Sequence, residues 1–169
     1  MFIDETWCST NMTRRYGRAP RGQKAHAAVP HGHWRTSTFV AALRTDGIIA
    51  PFVFDGAMNG AIFRFYVETQ LAPALHRGDV VVMDNLAAHK ANVIRDLIEA
   101  RGAILLYLPA YSPDLNPIEL VFAKLKHLLR SAAERTIDRL WTTLGTCLNH
   151  FHPSECANYI RHCGYGQPV

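Results

Sequence analysis

Residues 79 to 84, DVVVMD, are a short continuous apolar run that ends on an acid. A run of this kind reads as a strand covered on both faces, the usual state of strands in a parallel sheet. Residues 91 to 101 then carry helical periodicity, and Ala103 to Leu108 form a second buried run. Strand, helix and strand in that order predict parallel pairing with a crossover. Upstream, STFVAAL (37 to 43) and IIAPFVF (48 to 54) flank Thr45-Asp46-Gly47 and predict an antiparallel hairpin. Met1-Phe-Ile-Asp reads as the end of a strand, and the basic stretch from Asn11 to about His33 as a long loop or loose hairpin. Between Asn59 and Leu75, the spacing of Ile62, Phe63, Tyr66, Val67 and Leu71 predicts an amphipathic helix broken near Pro73. From Pro117 onward, helices alternate with short turns. The sum is an α/β fold whose mixed central sheet, antiparallel first and then parallel, is flanked by helices.

With 169 residues, 49% of them hydrophobic and 19% charged, the chain suits one domain with a sizeable core. It shows no internal repeat. No apolar run approaches the ~20 residues that cross a bilayer, and no signal peptide opens the chain, so a cytoplasmic protein without a membrane partner is expected. Cys8, Cys147, Cys156 and Cys163 lack the close pairing of a disulfide scaffold and read as reduced thiols. With His150, His152 and His162, the last three invite a zinc site. Their spacings do not fit the usual ligand pairs, and Leu144, Leu148, Tyr159 and Ile160 suggest ordinary helix packing. The net charge of +4 is unevenly spread. No acid lies between Glu5 and Asp46, whereas Arg14, Arg15, Arg18, Arg21, Lys24, Arg35 and Arg44 all do. An anionic partner is the natural inference.

The chemistry rests on three acids. Asp4 and Asp84 each end an apolar run, the position from which open α/β sheets present residues to a ligand. Half-buried carboxylates need a partner such as a metal ion; the alternative is that Asp4 caps a turn and Asp84-Asn85 begins one. Glu119 follows Asn116, a suitable helix cap, and Pro117, a suitable first helical residue. At the third position it could fold back onto the cap. Yet Ile118, Val121, Phe122, Leu125, Leu128 and Leu129 form the apolar stripe, and Glu119, Ala123, Lys126 and Arg130 share another face. An acid at a rigid helix start, with cations one and two turns on, suits a metal held beside a polyanion. Three oxygen ligands favour Mg²⁺ or Mn²⁺ over Zn²⁺, and such ions in pairs serve phosphoryl transfer on nucleic acid.

FIDET at 2 to 6, VVMDNLAAHK at 81 to 90 and YSPDLNPIE at 111 to 119 together resemble the DDE transposases of bacterial insertion sequences related to the mariner superfamily. The 34 residues from 85 to 118 that separate Asp84 from Glu119 match that superfamily's spacing. YGRAPRGQ at 16 to 23, HGHWRTSTFVAALRTDGI at 31 to 48 and ECANYIRHCGY at 155 to 165 extend the likeness. The resemblance implies a ribonuclease H-like fold with Asp4 on the first strand, Asp84 at the end of the fourth and Glu119 on a following helix. It also implies that these three are catalytic and hold two Mg²⁺ or Mn²⁺ ions. Asp114 lies off the family spacing, in a loop.

The chemistry so implied is nicking at insertion-sequence ends, then attack of the freed 3′-hydroxyl on target DNA, usually at TA. A homodimer would form in the synaptic complex. Family proteins carry helix-turn-helix modules before the first catalytic strand, and this sequence opens at that strand. The expectation is therefore a single catalytic domain over residues 1 to 169, with fusion to an upstream DNA-binding frame as one arrangement. The alternatives are a truncated remnant that binds DNA or a partner without catalysis, and a related nuclease of the same fold. Beside the acids, the resemblance places Asn85, His89 and Lys90, with His89 or Lys90 expected on a phosphate. The basic loop of Arg14, Arg15, Arg18, Arg21 and Lys24 is expected to grip DNA or another subunit, and Lys126 and Arg130 to face the polyanion.

Overall fold

Five strands form one sheet in the order β3-β2-β1-β4-β5, and it is mixed as the residue pattern predicts. The computed structural model describes residues 1 to 85 and 92 to 166. Strands β1 (Phe2–Ser9), β2 (Thr36–Arg44) and β3 (Gly47–Asp55) pair antiparallel. Strands β4 (Val80–Met83) and β5 (Ile104–Tyr107) continue the sheet in parallel, with β4 against β1. Helix α3 (Asn92–Glu99) lies between β4 and β5 in sequence, as the crossover requires.

The hairpin turns at Thr45 and Asp46, and Arg44 pairs with Gly47. Between the pairs Val40–Phe52 and Ala42–Ile49, the single residue Ala41 faces both Ala50 and Pro51. This bulge lets Ala50 take a φ of 49° and leaves Pro51, which has no N–H to give, on an edge strand.

Period-two alternation divides the core. Phe2, Phe39, Ala41, Leu43 and Val82 pack on one face with helices α4 (Ile118–Ala132), α5 (Ile137–Leu148) and α6 (Pro153–His162). Ile3, Val40, Ala42, Val81 and Met83 pack on the other, against α3 and the segment before β4. Both faces are covered, which is why VVVM and TFVAAL are continuous apolar runs and not alternating ones. Cys147 and Cys156 lie in the first of these clusters beside Leu144 and Ile160. Among the described residues no helix is long and apolar enough to cross a membrane.

The segment expected to break near Pro73 ends one residue after it, at Ala74, with Leu75 extended. Asn59 caps helix α1 (Gly60–Tyr66) by accepting from the N–H groups of Ala61 and Ile62, both at 3.0 Å. A π-helical turn, Val67–Leu71, then leads into the short α2 (Ala72–Ala74), with Ala72 N–H donating to Val67 O. The wider turn accommodates a proline that has no N–H and whose ring would crowd the carbonyl four residues back.

Three cross-links position the functional elements. Arg135 donates to the carbonyls of Thr10 (3.1 Å) and Met12 (2.8 Å), pinning the root of the basic loop to the α4–α5 connection. Trp141 Nε1 donates to Ser37 Oγ at 2.8 Å. Tyr165 packs on Phe2 with tilted rings whose centroids are 4.6 Å apart, and its hydroxyl donates to Leu115 O at 2.8 Å. The C-terminal segment therefore fastens the turn that introduces α4.

Candidate active site

The last parallel pair between β1 and β4 is Ile3 with Met83, so the next residue on each strand is an aspartate. Asp4 and Asp84 come abreast where β4 stops. Asp4 is thus not at the end of its own strand, as its sequence position suggested: β1 runs on to Ser9 because it keeps pairing with β2. What ends at Asp4 is the pairing with β4, and that break opens the cleft. Alternation places Asp4 on the same face as Phe2 and Cys8, the face that α4 covers.

Helix α4 brings the third acid. Ile118, Val121, Phe122, Leu125 and Leu129 bury one stripe against the sheet, with Phe122 edge-on to Phe39 at 6.2 Å. Glu119, one residue around from Ile118, is turned off that stripe and exposed. Asp4, Asp84, Asn85, Asn116 and Glu119 line a single cleft of about 340 Å³, closed on one side by the loop Leu108 to Pro113. That loop holds Tyr111 fully exposed with φ 55°, a left-handed conformation uncommon for an aromatic residue. Asp114, in the turn Pro113–Leu115, opens instead onto a neighbouring hollow with His162 and Cys163.

Asn116 departs from its expected role. The helix begins at Ile118, which makes Glu119 its second residue, and the Asn116 side chain caps nothing. Its Nδ2 donates to Asp4 Oδ2 at 2.8 Å across 112 residues of sequence, and the residue is 4% exposed. Asp4 Oδ1 accepts from the Glu5 N–H at 2.8 Å. Both oxygens of Asp4 are thereby oriented. The Asn-Pro signal that reads locally as a helix start could reveal this contact only if the pairing of distant segments were known.

Burial pushes the Asp4 carboxyl up to about 7, against the Glu5 N–H that favours its charged form; the negative charges of Glu5, Asp84 and Glu119 push it further up. Asp84 and Glu119 therefore act on Asp4 from within one cleft. Among the described residues no three His, Cys, Asp or Glu side chains enclose an ion position. The buried Asn116 Oδ1 is without a hydrogen-bond partner. Carboxylate oxygens from Asp4, Asp84 and Glu119 in one cleft fit a hard divalent cation, which would relieve the repulsion on Asp4.

The basic residues divide. Arg14 and Arg15 reach α4, where with Tyr16, His127, Arg130 and Ser131 they line a second cavity of about 390 Å³. Arg18, Arg21 and Lys24 are exposed along the loop and do not line it. Lys126 lies between the two sites, with Nζ 4.8 Å from the Trp7 ring centroid, in a hollow that also includes Glu119. His127 had no motif to mark it, and although Tyr16 opens YGRAPRGQ, only the folded loop brings the two together. His89 and Lys90 lie outside the described residues.

The family model for DDE superfamily endonuclease matches residues 1–141. No curated protein matches the chain. Among solved structures, the Mos1 strand transfer complex is similar at 22% identity and a TM-score of 0.76, over 96% of this chain and 51% of that one. The mariner Mos1 paired end complex with Mg is similar at 21% identity and a TM-score of 0.76, over 96% and 51%. The catalytic domain of Mos1 mariner transposase is similar at 18% identity and a TM-score of 0.64, over 96% and 75%. The chain therefore spans about half the length of the Mos1 chains in the DNA complexes, and at these identities the likeness is one of fold.

Proposed function

Because the chain belongs to the DDE superfamily endonuclease family, we propose that its cleft cuts and joins DNA as the catalytic domain of a transposase. The observation that carries this reading is the arrangement of acids on a ribonuclease H-like sheet: Asp4 and Asp84 abreast at a strand break, with Glu119 brought into the same cleft by α4. When bound there by Asp4, Asp84 and Glu119, two Mg²⁺ or Mn²⁺ ions would activate an attacking oxygen and stabilise the leaving oxygen of a phosphodiester.

The protein's own part is positional. Asn116 and the Glu5 N–H fix Asp4, and the buried stripe of α4 fixes the direction of Glu119. Arg14, Arg15, Arg18, Arg21, Lys24, Lys126 and Arg130 supply positive charge for the DNA backbone, with His89 and Lys90 assigned to the same role. Insertion-sequence ends and target DNA are the substrates in this reading. Pairing as a homodimer on those ends, with sequence-specific contacts from an upstream DNA-binding frame, belongs to the same proposal. The similar Mos1 transposase paired-end complex with left transposon end supports transposon-end DNA as the substrate.

The test is nicking of supercoiled plasmid with Mn²⁺, run beside joining of pre-cut 3′ ends to target DNA. Both activities are expected. Nicking without joining would make the protein a nuclease, and a folded chain with neither would remove the catalytic reading.

Asn116→Ala is expected to lower nicking by about 10–100-fold, the usual loss when a group that orients a metal ligand is removed. It should also cost about 1–3 kcal/mol of stability, because Asp4 keeps its burial and loses a donor. Denaturant unfolding and single-turnover nicking would check the two effects. Wild-type rates in the variant would mean that Asp4 needs no such support.

A further inference from the structure

The cavity between the basic loop and α4 is separate from the acid cleft, and no residue lines both. Its wall is Arg14, Arg15 and Tyr16 from the loop, with His127, Arg130 and Ser131 from the helix. No acid is among them. Five cations elsewhere in the described chain are matched, Arg35 with Asp55, Arg44 with Asp79, Arg64 with Glu68, Arg95 with Glu99 and Lys124 with Glu155. Arg18, Arg21 and Lys24 are unmatched among the described residues, but they are spread along the exposed loop and line no shared cavity with the arginines of this one. No ion pair of the described residues includes Arg14, Arg15 or Arg130. Their crowding has a physical signature. Burial, with Arg15 adding to it, lowers the Arg130 guanidinium from its ordinary value. Burial also lowers Lys126, one turn before Arg130, with Glu119 opposing and Arg130 and Arg15 reinforcing the shift.

The crowding is imposed by the fold. Arg135 holds the carbonyls of Thr10 and Met12, which leaves the loop only a residue or two before Arg14 and Arg15 meet α4. The end of α4 at Ala132 favours a single cation such as Arg130, but it does not account for arginines drawn in from another segment.

Resting on the DNA-cutting reading above, we propose that this cavity receives one backbone phosphate of the DNA substrate, held by Arg14, Arg15 and Arg130 with His127 and Tyr16 as hydrogen-bonding neighbours. Its position also gives a register. Arg130 lies eleven residues after Glu119 on one helix, about 16 Å at 1.5 Å per residue. A duplex lying along α4 advances about 3.4 Å per nucleotide of one strand, so the phosphate held here is about five nucleotides from the reacting one. The pocket thus measures DNA from the acids instead of adding diffuse charge.

The test is fluorescence anisotropy of a labelled duplex across about 50–200 mM salt, for wild type, Arg15→Gln/Arg130→Gln and Arg130→Lys. Loss of one phosphate contact is expected to make the slope of log affinity against log salt shallower by about one in the double variant, with Arg130→Lys close to wild type. A neutral methylphosphonate about five nucleotides from the nick should weaken wild type and leave the double variant unaffected. His127→Gln, a change at an exposed position, gives a second route should the double variant unfold; it is expected to weaken binding and to lose part of the methylphosphonate effect. Wild-type protein that nicks DNA while the variants keep its slope and its methylphosphonate response would overturn the pocket alone. Wild-type protein that neither nicks DNA nor binds it in a salt-dependent way would overturn both the pocket and the reading beneath it.

Discussion

An Asp84→Asn chain is expected to lose metal-dependent nicking by more than about a hundredfold while remaining folded. The reasoning starts from the sheet. Asp84 follows the last residue of β4, so its side chain is not needed for the ladder, and it is only partly buried. Its negative charge is one of those that push Asp4 up, so neutralising it relieves repulsion in the cleft. The isosteric amide should therefore leave the fold in place. Activity should not hold, because the amide keeps one oxygen and loses the charge that a divalent cation requires. Groups that merely orient a metal ligand are worth about 10–100-fold, and a direct ligand should exceed that. Plasmid nicking with Mn²⁺ and thermal unfolding with and without the ion would be read together. A variant that nicks like wild type would show that cleavage does not run through this cleft. One that fails to nick because it has unfolded would contradict the structural account of Asp84.

The elements were readable in the sequence where local pattern and tertiary surroundings agree. VVVM could be read as a buried strand because both of its faces are covered, and Thr45-Asp46-Gly47 as a turn because few other residues suit it. The meeting of Asp4 and Asp84 was partly readable, since both end apolar runs. That β1 continues past Asp4 was not, because Trp7, Cys8 and Ser9 are held by β2, some thirty residues away, and short polar-apolar mixtures do not reveal a distant partner. Asn116 shows the same limit more sharply. Its local context, Asn before Pro before an apolar helix, is a strong capping signal, and the fold uses the amide on Asp4 instead. The pocket of Arg14, Arg15, His127 and Arg130 had half of its evidence in the sequence, the absence of acids, and half in the loop path set by Arg135.

Asp4 itself should reveal the burden that the cleft places on the fold. In the metal-free protein its carboxyl is pushed from 3.8 to about 7, by burial first and then by Glu5, Asp84 and Glu119, with the Glu5 N–H opposing. Below about pH 4 the group is protonated in both folded and unfolded chains and contributes no difference. Between about 4 and 7 the folded chain holds a proton that the unfolded chain has released, so this contribution falls as pH rises. Above 7 the full penalty applies, up to about 4 kcal/mol at 1.36 kcal/mol per pKa unit. Asp4→Asn is therefore expected to stabilise the protein at pH 8 in the presence of a chelator, with the gain fading toward pH 4. The replacement amide oxygen can still accept from the Glu5 N–H, and its NH₂ can donate to the otherwise unpartnered Asn116 Oδ1 once that amide flips. Adding Mg²⁺ at pH 8 should stabilise wild type, because a cation favours the carboxylate form, and should do so far less in the variant. Denaturant unfolding at pH 5 and pH 8, with chelator and with Mg²⁺, would measure all of these. A wild-type stability that does not fall over this range would mean that Asp4 is neither desolvated nor crowded by its neighbours. A fall that Asp4→Asn abolishes would show that stability is given up at the residue the proposed chemistry needs charged, a trade expected of a catalytic acid and not of a turn cap.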